Sequence, residues 1–227
     1  MRFILNRTED RASHSVKWIV GYGLLFWLVS RIIAVILLFL CGTIYSKFGI
    51  DPEELTKFAG MPESHHGSLY ILFTMAIAAP VIEEAIFRLG LSFKRWHVAL
   101  GAAAIPAYVA WQGLMFRAWW ITGLWLIGAA VVFCSIYFLT TSRMWTELKK
   151  RFLRPAIWIS AIAFGLIHLI AFSDYSWELV PYMLCVILVP MFGGFAITYY
   201  RVNLGVWWGV GLHVFNNLPG VIMLCLQ

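Results

Sequence analysis

The chain has 227 residues, of which 62% are hydrophobic and 12% are charged, and its formal net charge is +6. Globular soluble proteins are roughly half apolar and about a quarter charged, so a soluble chain of this composition would expose much apolar surface to water. The composition therefore excludes a disordered, collagen-like or disulfide-rich protein. It indicates an all-α fold, a polytopic transmembrane helical bundle surrounded by lipid.

Apolar segments of about 20 residues, the length needed to cross a bilayer, recur along the whole chain. The first is the longest and carries Arg31, which favours an interfacial position for its lower half. No linker of low complexity divides the chain, so we predict one helical domain with about seven spans. The spans are expected at residues 18–45, 69–93, 97–116, 119–140, 155–173, 177–200 and 204–226.

Basic residues fall mostly on one side of the predicted membrane. With the N-terminus inside, 13 of the 17 lysines and arginines lie in inner segments and three lie in outer segments. Cytoplasmic loops carry such an excess in membrane proteins, by the positive-inside rule. We therefore predict that the N-terminus faces the cytoplasm, and that the basic stretch 143–154 forms an inner loop on anionic headgroups.

Polar side chains interrupt three of the apolar segments. A charge at the centre of a bilayer costs at least ~2.5 kcal/mol on insertion scales, so each such residue is a candidate for a functional or structural role. Three separate helices would bring these groups into the membrane interior. They are Glu83, Glu84 and Arg88 in the second segment, His168 in the fifth, and His213 and Asn217 in the seventh.

The spacing of these residues sorts them by helix face. Glu84 and Arg88 are four residues apart, so they share one face and are expected to pair. Glu83 lies about 100° further round the helix and lacks an arginine four residues later. We therefore expect Glu83 to face His168 and His213 across the bundle, while the neighbouring pair has a structural role.

Depth in the membrane limits which of these residues can meet. If the second helix continues through residues 89–93, Glu83 lies about 15 Å from Lys94 and near the middle of the bilayer. His213 and Asn217 are also four residues apart, so one face of the last helix presents both side chains. We expect the three helices to bring these groups into one pocket.

One carboxylate, two imidazoles and one carboxamide are the components of a hydrolytic site. A carboxylate and a histidine can hold a water and accept its proton, and a second histidine and an asparagine can donate hydrogen bonds to an oxyanion. No serine or cysteine nucleophile accompanies them, so no covalent enzyme intermediate is expected. A Glu/His/His zinc site is a geometric alternative, but His-Glu-x-x-His is absent and we favour no cofactor.

Three short motifs in the last two thirds of the chain resemble those of the CAAX protease and bacteriocin-processing family, also called the CPBP or Abi family. They occur in the family's order, and each falls on a predicted helix. The matching stretches are Glu83-Glu84-Ala-Ile-Phe-Arg88 for E-E-x-x-x-R, Phe164-Gly-Leu-Ile-His168 for F-x-x-x-H, and His213-Val-Phe-Asn-Asn217 for H-x-x-x-N.

The resemblance implies an intramembrane glutamate-type endopeptidase that needs no metal. Glu83 and His168 would then activate the water, and His213 and Asn217 would form the oxyanion hole. The second glutamate and the arginine of the first motif would support them. The substrate would be a peptide or protein in or at the membrane, and the location would be the plasma membrane of a prokaryote, with no nucleic-acid partner.

The motifs also suggest a division of the chain. Residues 1–17 would form a cytoplasmic segment, and residues 18–67 would hold the first transmembrane helix and an outer loop. Residues 68–227 would form the peptidase core.

Two other functions fit the same residues. A non-catalytic bacteriocin self-immunity or scaffold protein would use the polar cluster for stability or for binding a partner. A proton-coupled carrier would use buried Glu and His as a relay, although carriers often show internal repeats and the sequence shows none.

Overall fold

The structure, a computed structural model, describes residues 16–47, 68–115, 119–172 and 177–225. Within these ranges 97% of the residues are helical and none forms a strand, so the all-α prediction is confirmed. A helix lies at each of the seven predicted segments. The helices are α1 (Val16–Lys47), α2 (Leu69–Ser92), α3 (Arg95–Met115), α4 (Trp119–Leu139), α5 (Ser142–Ile167), α6 (Val180–Leu204) and α7 (Val206–Cys225).

Five of these helices are long and apolar enough to cross a membrane: α1, α2, α4, α5 with the turn that follows it, and α6 with the turn that precedes it. Large apolar side chains on their outer faces are exposed, for example Phe39 at 72% on α1 and Phe138 at 73% on α4. Such surfaces suit a lipid solvent, so the chain is an integral membrane protein. The predicted cytoplasmic segment, apart from Val16 and Lys17, and the predicted outer loop at 48–67 lie outside the described residues.

Helix α6 forms the centre of the bundle. Its residues 193–201 are buried without interruption, and it packs against α1, α5 and α7. Apolar clusters join it to these neighbours: one around Tyr200 and Leu212 links α1, α6 and α7, and another around Ile157 and Phe195 links α2, α5 and α6. Side chains from four helices can therefore meet beside α6.

Helix α2 changes type along its length. It is π-helical over Leu72–Ala78 and again over Glu84–Arg88, where the Leu89 N–H bonds to the Glu84 carbonyl five residues earlier. Pro80 contributes because it has no N–H for a regular α-helical bond, and single π turns often occur at functional sites. The helix then runs to Ser92 and stops at Phe93, whose φ of 55° is left-handed. The predicted continuation past Arg88 is confirmed.

Helix α5 begins earlier than the sequence predicted. Thr141 is extended and its Oγ1 accepts the Met144 N–H at 3.2 Å, which caps a helix that starts at Ser142. Along the basic stretch, Arg151 is exposed while Leu153 is buried, so this stretch is an amphipathic helix and the predicted inner loop is wrong. Pro155 lies inside the helix and does not begin it.

Alanine at Gly194 is expected to lower the free energy of unfolding by about 1–3 kcal/mol, the usual cost of overpacking. A Cβ there would lie 2.7 Å from Nη2 of Arg88 and 3.1 Å from Cδ1 of Phe164. Gly128→Ala on α4 is the matched control, because a Cβ there meets nothing within 4 Å. Thermal unfolding in detergent, followed by circular dichroism, compares the two. Equal midpoints would contradict the tight packing.

Candidate active site

A cavity of about 310 Å³ lies between α1, α2, α5, α6 and α7. Its lining includes Glu83, His168, His213 and Asn217, together with Arg31 from α1. The structure thus brings the four predicted catalytic side chains to one cavity, which we call the polar cavity. A larger groove of about 410 Å³ lies between α1 and α7, and the described residues that line it are apolar or aromatic, with no carboxylate or imidazole. The chemistry therefore belongs to the polar cavity.

The first motif forms a buried ion pair, as predicted. Nη1 of Arg88 donates to Oε1 of Glu84, and both side chains are almost fully buried. The Arg88 Nε donates to Oγ1 of Thr198 at 3.2 Å, and the guanidinium lies 4.2 Å from the centre of the Phe164 ring. Such partners offset the cost of removing the two charges from water.

His213 lies between the two glutamates of the motif. Its Nδ1 is 3.0 Å from Oε1 of Glu84, and its Nε2 is 3.3 Å from Oε2 of Glu83. An ionised carboxylate only accepts hydrogen bonds, so both ring nitrogens carry protons when both carboxylates are ionised. Together with Arg88 the cluster then has two negative and two positive charges, which suits a low-dielectric site.

This arrangement differs from the prediction in one respect. We expected Glu84 to pair with Arg88 and Glu83 to face His168 and His213, whereas the imidazole of His213 contacts both carboxylates. The contact coincides with a change from α to π geometry that begins at Glu84. In this arrangement His213 has no N–H left for a substrate.

Exposure distinguishes the two carboxylates. The side chain of Glu83 is 28% exposed, whereas that of Glu84 is 2% exposed. Only Glu83 lines the polar cavity. A water or substrate in the cavity can therefore reach Glu83 but not its neighbour.

His168 presents a free nitrogen to the same cavity. It follows the last residue of α5, and its Nδ1 is 2.7 Å from the Phe164 carbonyl oxygen. A carbonyl only accepts, so Nδ1 carries the proton and Nε2 of the neutral ring is left with its lone pair. No partner for Nε2 is found among the described residues. The backbone thus holds His168 as the tautomer whose Nε2 can accept a hydrogen bond from a water.

Asn217 is held by a short chain of hydrogen bonds. Its amide nitrogen donates to the Met75 carbonyl at 3.4 Å, and its oxygen accepts from the Asn216 amide at 3.2 Å. Oδ1 of Asn216 in turn accepts the Trp27 indole N–H at 3.0 Å. No partner among the described residues uses the second N–H of this amide, which leaves it for a ligand in the cavity. Sequence reasoning assigned no role to Asn216 or Trp27.

The ring of Phe164 contacts three polar side chains of the site. Its ring meets the ring of His168 edge-on at 5.1 Å and that of His213 at 5.5 Å, both between ring centres. One aromatic side chain therefore sets the position of both imidazoles, and the Arg88 guanidinium lies over the same ring. The F-x-x-x-H spacing places Phe164 and His168 on one helix face, but from the sequence alone Phe164 was interpreted only as a packing residue.

The zinc alternative does not fit the side chains as they are placed. Within the described ranges, no three His, Cys, Asp or Glu side chains are arranged as ligands of one metal ion. Both ring nitrogens of His213 face carboxylate oxygens, so neither offers a lone pair to a metal.

Comparisons with protein-family models, with curated proteins and with solved structures found no match for this chain. The resemblance to the CAAX protease and bacteriocin-processing family therefore depends on the three motifs, and family membership stays a prediction.

Proposed function

We propose that this protein is an intramembrane endopeptidase of the glutamate type, which hydrolyses a peptide bond of a membrane-associated peptide or protein without a cofactor. The observation that carries the proposal is that one cavity holds an accessible carboxylate, Glu83, and an imidazole with an unbonded nitrogen, His168. These are the groups that bind and deprotonate a water.

In the proposed reaction, a water lies between Glu83 and Nε2 of His168. Glu83 accepts one proton, His168 accepts a hydrogen bond from the other O–H, and the water oxygen attacks the carbonyl carbon. A carbon–oxygen bond forms, and the carbonyl electrons move to its oxygen. The tetrahedral intermediate thus carries its negative charge on the former carbonyl oxygen.

Asn217 and His213 would stabilise that oxygen in turn. The free amide N–H of Asn217 is available from the start. The Nε2–H of His213 points at Glu83. This hydrogen bond weakens when Glu83 becomes a neutral acid, because a hydrogen bond to a charged group is roughly twice as strong as one between neutral groups. The proton transfer that creates the oxyanion thereby releases a second donor for it.

Breakdown of the intermediate completes the reaction. The carbon–nitrogen bond breaks, and Glu83 gives its proton to the departing amine. The products are a carboxylic acid and an amine, and Glu83 returns to its ionised form. Buried His213, Glu84 and Arg88 keep the surrounding charge balanced throughout.

We further propose that the chain is a member of the CAAX protease and bacteriocin-processing family with seven spans and a cytoplasmic N-terminus, in the plasma membrane of a prokaryote. The distribution of basic residues supports the orientation. Helices α3 and α7, of 21 and 20 residues, complete the seven spans, since about 20 residues cross a bilayer.

The test is cleavage by the purified protein in liposomes. A library of synthetic peptides with an apolar core of about 20 residues is the probe, and mass spectrometry detects new termini. His168→Ala is expected to lower the cleavage rate by about 10²- to 10⁴-fold. In ¹⁸O-labelled water, one label should enter each new C-terminus. Undiminished cleavage by a folded His168→Ala protein would overturn the proposal, because the hydrolysis would then not depend on the polar cavity.

A further inference from the structure

Arg31 is the one arginine or lysine among the described residues that line the polar cavity. It lies at the middle of α1, about 23 Å from either end of the helix. Its guanidinium rests against Gly193 of α6, where an added Cβ would come within 2.6 Å of Nη2. Sequence reasoning assigned Arg31 no part in the site, because no motif covers the first helix.

The charge of Arg31 has no counter-ion among the described residues. No ion pair within these residues involves it, and its Nε is buried without a hydrogen-bond partner. The two buried arginines have partners that Arg31 lacks: Arg88 pairs with Glu84, and Arg201 donates to the Leu89 carbonyl at 3.2 Å, although its Nε is also without a hydrogen-bond partner among the described residues. An arginine in a membrane interior is costly and usually has a functional partner.

The charge balance of the cavity points to an anion. With His213 protonated, its charge and that of Arg88 cancel those of Glu83 and Glu84. Arg201 is a further buried cation whose charge acts on Glu84, but it does not line the cavity, so Arg31 is the lining cation that lacks a counter-ion among the described residues. Its planar guanidinium matches a carboxylate, which it can bind through two parallel hydrogen bonds.

A lipid phosphate is a poor match for this position. The hydrocarbon core is about 30 Å thick, so the headgroups lie about 15 Å from the midplane. The cavity is small, at about 310 Å³, and its wall includes apolar side chains, among them Leu38, Val186 and Val189. A short apolar peptide segment that carries a carboxylate fits both the wall and the charge.

We infer that Arg31 binds a carboxylate of the substrate and so selects peptides cut close to a negative charge. The inference rests on the proposed function and names the specificity of the same cavity. The carboxylate is either the C-terminal group of the peptide or an Asp or Glu side chain. Because Arg31 and Glu83 share one small cavity, the scissile bond would lie within a few residues of that carboxylate.

The test measures binding, so it does not depend on turnover. A dansyl-labelled hexapeptide of Leu, Ala and Val is titrated into the protein in neutral-lipid nanodiscs, with either a free C-terminal carboxylate or a C-terminal amide. The free acid is expected to bind about 10- to 100-fold more tightly, the effect of one charge-assisted hydrogen bond. A third peptide, amidated but with one Glu, distinguishes a side-chain carboxylate from the C-terminal one.

Arg31→Gln is expected to bind acid and amide equally. Arg31→Lys keeps the positive charge but lacks the two parallel N–H donors of the guanidinium, so it should retain a smaller preference for the free acid over the amide. Thermal unfolding checks that both variants are folded. Equal binding of acid and amide by the unaltered protein, no binding of any peptide, or a preference that survives in Arg31→Gln would overturn the inference. So would loss of the preference in nanodiscs that contain anionic lipid, since lipid phosphate would then occupy Arg31.

The two proposals fail separately. If the protein binds the free acid through Arg31 but cleaves nothing, the peptidase proposal fails and the carboxylate site stands. If it cleaves acid and amide peptides equally well, the peptidase proposal stands and the role of Arg31 fails.

Discussion

Glutamine in place of Glu83 is expected to reduce peptide cleavage by at least about 10²-fold, the lower limit for loss of a general base. The amide keeps the shape of the side chain and an oxygen for the Nε2–H of His213, but it cannot accept a proton from water. Because Glu83 is partly exposed to the cavity, the substitution should leave the unfolding midpoint nearly unchanged. The liposome assay measures the rate, and circular dichroism measures the fold.

The double variant Glu83→Gln/His168→Ala sharpens this prediction. Groups that act on one water as a unit give strongly non-additive losses, so the double variant should be little slower than the slower single variant. Glu147→Gln is the matched control, because this carboxylate is 56% exposed and pairs only with Lys150 at 2.9 Å among the described residues. Full activity in Glu83→Gln, or additive losses in the double variant, would refute a shared water.

Methionine in place of Arg88 is expected to lower the free energy of unfolding by about 3–5 kcal/mol, because removal of one partner leaves a buried charge without compensation. The side chains of Arg88 and Glu84 are 0% and 2% exposed, and each contacts other buried groups. Chemical denaturation in detergent is the measurement. This loss is the largest effect on stability that the structure predicts for one side chain.

The double variant Glu84→Met/Arg88→Met should be more stable than either single variant, since apolar side chains of similar size can replace a buried ion pair at little cost. Lys150→Met is the matched control. It breaks an ion pair on one helix, as Arg88→Met does, but Lys150 is 66% exposed and such surface pairs contribute about 0–1 kcal/mol. A similar loss in the free energy of unfolding for Arg88→Met and Lys150→Met would show that the buried ion pair contributes no more to stability than the exposed one.

These two predictions separate the polar cluster into a reacting side and a supporting side. Glu83 and the free nitrogen of His168 face the cavity, and changes there should affect rate more than stability. Glu84 and Arg88 lie behind them, and changes there should affect stability first. His213 contacts both glutamates, so it connects the two sides.

The sequence alone was sufficient for the helices and for the list of polar residues. A lipid solvent requires apolar spans of about 20 residues, so the composition and length of each segment locate the helices, although α5 begins at Ser142 and not at the predicted Pro155. The cost of a charge in lipid makes Glu83, His168 and His213 stand out in any reading of the chain. Spacing of four residues on one helix was also enough to pair Glu84 with Arg88, because that contact is local.

Contacts between helices were decided only by the tertiary structure. Both carboxylates contact His213 from another helix, which spacing along α2 could not show. Arg31 has no motif and lies 52 residues before Glu83, so only the packing of α1 on α6 brings its charge into the cavity. Local periodicity determines which face a side chain occupies, but the partner across that face depends on how whole helices pack.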